Sequence, residues 1–250
     1  MFFGNSTTWG RRSRLFCLAV VLISHVGCGV MKEFRAKLQG NSSEGAYTRS
    51  HAGSGLGTPK TDGLKTLPGL DLTVTPEVRA QLNRYMTWDR GTIREMLTEK
   101  KESFGPLKRL LRSKGVPGDL VSVAAVESRL NQYATSPAGA RGLWQFMRRT
   151  AQSYGLEVSR RKDERLDVTR STLAAAQHMR DLFYDYEDWY LTLAAYNAGR
   201  TAINRKLRRS QMDGFWELAH AGELSKETKQ FVPRVIAMTL ILNNPSRYGF

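Results

Sequence analysis

The chain has 250 residues, 41% hydrophobic and 24% charged, which suits one or two packed domains and excludes a disordered or fibrous polypeptide. A count of 38 basic against 23 acidic side chains gives a formal charge of +15, pointing to an anionic partner or surface. Its 2 cysteines, Cys17 and Cys28, both lie near the start, which excludes a disulfide or thiol chemistry in the rest of the chain.

Arg11, Arg12 and Arg14 precede an apolar run from Leu15 to Val26. The run has signal-peptide length and is shorter than the ~20 residues of a membrane span. It ends at Gly27-Cys28, which resembles a bacterial lipoprotein processing site, although His25 stands where that pattern has Leu. Residues 1–28 are therefore expected to direct export to the periplasm, with Cys28 carrying an outer-membrane lipid anchor. Residues 29–75 are rich in Gly, Ser and Thr without apolar periodicity and read as a flexible linker. Within it, Gly53-Ser-Gly-Leu-Gly57 follows no strand and is soon met by Pro59, so it is not a phosphate loop.

From Pro76 onward helical spacing dominates and no alternating strand pattern persists, so the fold class is all-α. A helical extension is expected over 76–103, its helix reaching residue 101, followed by a domain at 104–250. The domain's first helix, at 106–113, turns Leu107, Leu110 and Leu111 inward and stops at Gly115. Pro117 opens the next, at 118–130. A loop holding Ser136, Pro137, Gly139 and Gly142 leads to a helix at 143–154, and further helices are expected at 168–186, 189–198, 200–208 and 225–243, the last kinked at Pro233.

The segment VSVAAVESRL, at 121–130, poses the chemical question. At about 100° per residue, Leu120, Val121, Val123, Ala124, Ala125, Val126 and Leu130 fill a broad apolar arc, with Ser122 and Arg129 on the solvent side. Glu127 falls inside that arc. Either it is a structural carboxylate satisfied by an arginine or backbone donors, or burial keeps it protonated as a general acid.

Other chemistries find little support. The 4 histidines lack ligand spacing, so no metal is expected, and no Gly-x-Ser-x-Gly elbow marks a nucleophile. No cofactor motif is present. The basic clusters at 160–162 and 205–209 sit in no nucleic-acid-reading motif, so no nucleic acid is expected, and an acidic cell-wall polymer fits the charge equally well. Asp163 and Asp167, in an Arg-rich segment, read as capping or ion-pairing residues. Protein partners are not legible.

Three stretches stand in order: Glu127-Ser128, AGARGLWQFM at 138–147, and LTLAAYNAG at 191–199. Together they resemble the Glu-Ser, Gly-Leu-Met-Gln and Ala-Tyr-Asn motifs of the soluble-lytic-transglycosylase (SLT) domain, a goose-lysozyme-like helical fold. With the upstream helix, Gln230-Phe-Val-Pro-Arg234 and Ser246-Arg-Tyr-Gly249, the likeness is greatest to membrane-bound lytic murein transglycosylases of the D type. Trp144 replaces the commoner Met, and the peptidoglycan-binding repeats that often follow the domain are absent from this sequence.

The resemblance implies that the partner is the glycan strand of peptidoglycan, cut between N-acetylmuramic acid and N-acetylglucosamine. Glu127 would act as acid and then base, closing a 1,6-anhydro ring without water. It further implies substrate-binding roles for Ser128, Gln145, Met147, Tyr196 and Asn197, with the Tyr196 phenol partnered by Glu127. Ser136, Gly139 and Gly142 would shape the loop. Trp144 and Phe146 either line the groove or pack. A lysozyme-like hydrolase and a non-catalytic wall-binding protein are the alternatives.

Overall fold

The computed structural model describes residues 65–250; the leader with Cys28 and the linker up to residue 64 lie outside the described residues. The described residues are helical, with three isolated antiparallel bridges, Thr135–Arg141, Arg141–Phe146 and Val158–Asp163. In chain order they form α1 (Pro76–Met86), α2 (Arg90–Glu99), α3 (Lys101–Arg112), a short turn at Gly118–Leu120, α4 (Val121–Ser128) and α5 (Arg148–Ser153). A turn at Glu164–Leu166 leads to α6 (Val168–Tyr186), α7 (Trp189–Ala198), α8 (Arg200–Ser210), α9 (Phe215–His220) and α10 (Lys226–Asn243), with a last turn at Pro245–Tyr248.

Side-chain caps fix several starts by satisfying N–H groups that a helix leaves unpaired. Thr75 accepts from the Val78 N–H, Asp167 from Arg170, Asp188 from Leu191 and Ser225 from Thr228. The single helix expected over 76–101 divides instead at Thr87–Asp89. Thr87 Oγ1 donates to the Asn83 carbonyl at 2.7 Å, and an Arg84–Asp89 ion pair of 3.0 Å closes the turn. α3 begins before Pro106 and runs through it, since burial of Leu107 and Leu111 outweighs one missing N–H. α9 had no clear periodic signal.

Residues 65–75, expected as linker, are packed on the body. Leu67 is buried and donates its N–H to the Gly115 carbonyl at 2.9 Å. The Trp189 indole donates to the Pro68 carbonyl at 2.8 Å and the Tyr190 hydroxyl to that of Asp71 at 3.2 Å.

α10 organises the domain, packing against α1, α4 and α7 and burying Phe231, Val232, Val235, Ile236 and Met238. It continues on both sides of the buried Pro233. Its contact with α4 corrects one expectation: Ser122 does not face solvent. It is fully buried, and its hydroxyl accepts from Thr239 Oγ1 at 2.7 Å. Short, small-residue α4 is thereby enclosed until its final turn.

Candidate active site

That final turn carries Glu127 and Ser128, both partly exposed where α4 emerges. Ser128 Oγ lies 2.8 Å from the Leu143 carbonyl and 3.1 Å from that of Ala124, so its proton ties the helix end to the following loop. Arg129 and Leu130 then take left-handed backbone, φ 54° and 60°, which stops the helix and turns the chain sharply away.

The loop that follows is pinned largely by its own backbone. Ser136 and Ala140 close a turn, with Ser136 Oγ accepting the Ala140 N–H at 3.0 Å. Gly142, at φ 80°, donates its N–H to the Ala134 carbonyl, and a Cβ there would run into the carbonyl of Arg165. Gly139, at φ 85°, has open space around it. The buried Arg165 guanidinium donates to the carbonyls of Gly139 (2.9 Å) and Phe146 (3.1 Å) and pairs with Asp163 at 2.7 Å. Arg165, with Arg141, holds the Asp163 carboxyl down to about 2. Asp163 thus braces the loop, and Asp167 caps α6.

The helix expected from residue 143 begins only at Arg148, because Gly142 and Gln145 both have positive φ. Gln145 uses its amide hydrogens on the carbonyls of Gly142 (2.9 Å) and Ala134 (3.2 Å), inside the loop. Trp144 and Phe146 are buried, and the Trp144 indole donates to Thr172 Oγ1 at 3.0 Å, so both pack. Met147 is half-buried at the start of α5.

α7 brings Tyr196 and Asn197 to the same place. The Tyr196 hydroxyl donates to the Trp144 carbonyl at 2.8 Å, and not to Glu127 as expected. Its titration is nonetheless tied to Glu127: burial first, then the Glu127 charge, pushes the phenol well above its ordinary value. Asn197 Oδ1 accepts from Thr228 Oγ1 at 2.9 Å, and its Nδ2 donates to Glu227 at 3.4 Å.

Burial pushes the Glu127 carboxyl up to about 8; Arg234 opposes this and Glu227 adds to it. No described residue hydrogen-bonds the carboxyl, so nothing rewards its charged form except the Arg234 field. A protonated donor at neutral pH is the result. Glu227, on α10, carries no local signal in the sequence, and Arg234 stands in the Gln230-Phe-Val-Pro-Arg234 stretch without any sign that it acts on Glu127 about a hundred residues away. Behind Tyr196, the His178 ring sits 5.2 Å away between Tyr154 and Phe146, kept neutral by a pKa pulled down to about 4 by burial. Among the described residues no group of three His, Cys, Asp or Glu side chains is placed to hold a metal.

Residues 107–219 match the transglycosylase SLT domain. The membrane-bound lytic murein transglycosylase D of Escherichia coli (strain K12) is 31% identical over 95% of this chain, which spans 55% of that relative. A membrane-bound lytic murein transglycosylase F of Cronobacter sakazakii is 36% identical over 32% of this chain and 16% of its own length. The solved lytic transglycosylase Slt of Pseudomonas aeruginosa superposes with a TM-score of 0.49 at 20% identity, over 68% of this chain and 30% of that one.

Proposed function

We propose, from the match of residues 107–219 to the transglycosylase SLT domain, that the protein is a peptidoglycan lytic transglycosylase whose acid and base is Glu127. One feature carries the mechanism: a carboxyl on the last turn of an enclosed helix, given no hydrogen bond by a described residue, whose burial raises it to about 8.

The substrate is the bond between N-acetylmuramic acid and N-acetylglucosamine. Protonated Glu127 donates to the glycosidic oxygen as the C–O bond breaks, and the N-acetyl group of the muramoyl unit stabilises the developing cation. The carboxylate left behind removes the proton from that sugar's 6-hydroxyl, whose oxygen closes on C1. The product is a 1,6-anhydro end, and Glu127 is protonated again. A two-carboxylate hydrolase needs a base placed to activate water. Glu227, which accepts one long hydrogen bond from Asn197 at 3.4 Å, is the carboxylate that such a hydrolase would have to use. Tyr196, fixed on the Trp144 carbonyl, and Asn197 border the acid and contact the acetamido groups. Ser128 and Gln145 act through the loop backbone that they hold.

Mass spectrometry of digested peptidoglycan tests this directly. Anhydro ends are expected, with the hydrolysed ends one water heavier as a minor fraction. Predominantly reducing ends would convert the reading to a lysozyme-like hydrolase. Glu127→Gln is expected to lose roughly 10⁴ or more in rate, because one group makes both proton transfers.

The proposed setting is the periplasm, with Cys28 as lipid anchor. Among the described residues no helix is long and apolar enough to cross a membrane. Cys28→Ala is expected to move the active body from the membrane to the soluble fraction.

A further inference from the structure

The described surface carries a groove of about 450 Å³ remote from Glu127, between α2 and α3 on one side and the end of α10 on the other. Leu97, Phe104 and Phe250 give it apolar walls, while Arg94, Lys101 and Lys108 supply cations. Lys108 is shared with Asp119 at 3.8 Å. The acids of α2, Glu95 and Glu99, lie roughly 100–140° around the helix from Arg94, so the charges of that helix are segregated.

The rim extends past the groove. Arg90 lies over the Phe250 ring at 5.7 Å and donates to the Gly249 carbonyl at 2.6 Å. Two residues earlier Trp88 is 90% exposed, the most exposed of the described large hydrophobic side chains. Apolar walls under a cationic rim fit an amphiphile with an anionic head better than a fully hydrated anion, which has no use for the walls. An exposed indole beside that rim is the side chain favoured at the water–bilayer boundary.

We propose that this groove seats the headgroup and upper acyl chain of an anionic phospholipid, laying the α2–α3 face on a membrane surface. Leu242, at the groove, is eight residues beyond Arg234, about 12 Å along α10, so a bound lipid sits clear of the surface where Glu127 emerges. The contact would fix the orientation of the helical body relative to that surface. The inference does not depend on the catalytic reading.

The test uses the full chain with Cys28→Ser, so that no attached lipid contributes and the apolar leader is common to every sample. Sedimentation is compared on phosphatidylethanolamine vesicles with and without phosphatidylglycerol. Arg94→Gln/Lys101→Gln is expected to weaken binding to the anionic vesicles by roughly tenfold or more, and Arg208→Gln/Arg209→Gln on α8 by less than about threefold. Brominated acyl chains are expected to quench the parent more than Trp88→Phe. Glycan-strand cleavage in solution by the groove variant should equal the parent's, which separates this result from a failure of the catalytic assignment. Equal losses from the two double variants would mean diffuse charge and overturn the proposal. So would equal binding to vesicles lacking phosphatidylglycerol, or displacement of the bound protein by a soluble acidic peptide.

Discussion

Glu127 is a carboxyl whose proton is held by what surrounds it rather than by what bonds it. Burial raises it from 4.5 to about 8, so the protonated fold is favoured. The native state therefore has its full stability below pH 4.5 and loses some as pH rises from there through about 8. Glu127→Gln removes that dependence. The variant should be more stable than the parent by roughly 1–3 kcal/mol at pH 8 and no more stable at pH 4, measured by urea unfolding. An equal difference at both values would mean that the carboxyl titrates normally. In the proposed mechanism the same proton governs turnover, so kcat/KM should fall as pH rises past about 8. Glu227 raises the Glu127 pKa and Arg234 lowers it, so Glu227→Gln should move this limb to lower pH and Arg234→Gln to higher pH. A limb unmoved by either change would remove Glu127 as the titrating acid.

At the scale of elements, the loop from 134 to 146 separates two glycines that look alike in the sequence. Gly139→Ala meets open space and bears only left-handed strain, about 1–2 kcal/mol, with the fold intact. Gly142→Ala forces its methyl into the Arg165 carbonyl, so it should cost at least about 3 kcal/mol and take activity with it. Thermal melts of the two variants distinguish them; equal losses would mean that the loop gives way freely at 142. The ends of α6 and α7 were legible because Asp167 and Asp188 cap them and Gly199 stops the second. The start of α5 was not, because Gly-Leu-Trp-Gln-Phe has helical apolar spacing while Gln145 adopts φ 49° without being glycine. Ser122 was misplaced for a related reason. Polarity suggested water, but a hydroxyl is equally satisfied by another hydroxyl inside a helix contact.

Across the whole molecule, the all-α class and the order of the helices could be read from periodicity. The packing of residues 65–75 could not, since a Gly- and Pro-punctuated segment gives no sign of the indole and phenol waiting for its carbonyls. A chain beginning at residue 76 should melt several degrees below one beginning at residue 65, because it exposes the Leu67 contact and leaves Trp189 Nε1 without its acceptor. Coincident melts would show the strap to be idle. The electrostatic influence of Glu227 and Arg234 on Glu127 was likewise invisible, being a property of helix packing across a hundred residues.

The lodging of α4 against α10 also sets a timetable. The groups nearest Glu127 in effect, Arg234 and Glu227, belong to a helix ending at Asn243, and Ser122 meets Thr239 across 117 positions of sequence. Such distant contacts form late, because a long loop must close first. A chain emerging N-terminus first therefore carries Glu127 without these neighbours until residues 226–243 have appeared. Docking of α10 against α4 completes the burial of Glu127, so the raised pKa, and with it the acid role proposed for this side chain, belongs to the packed helix pair and to neither segment alone.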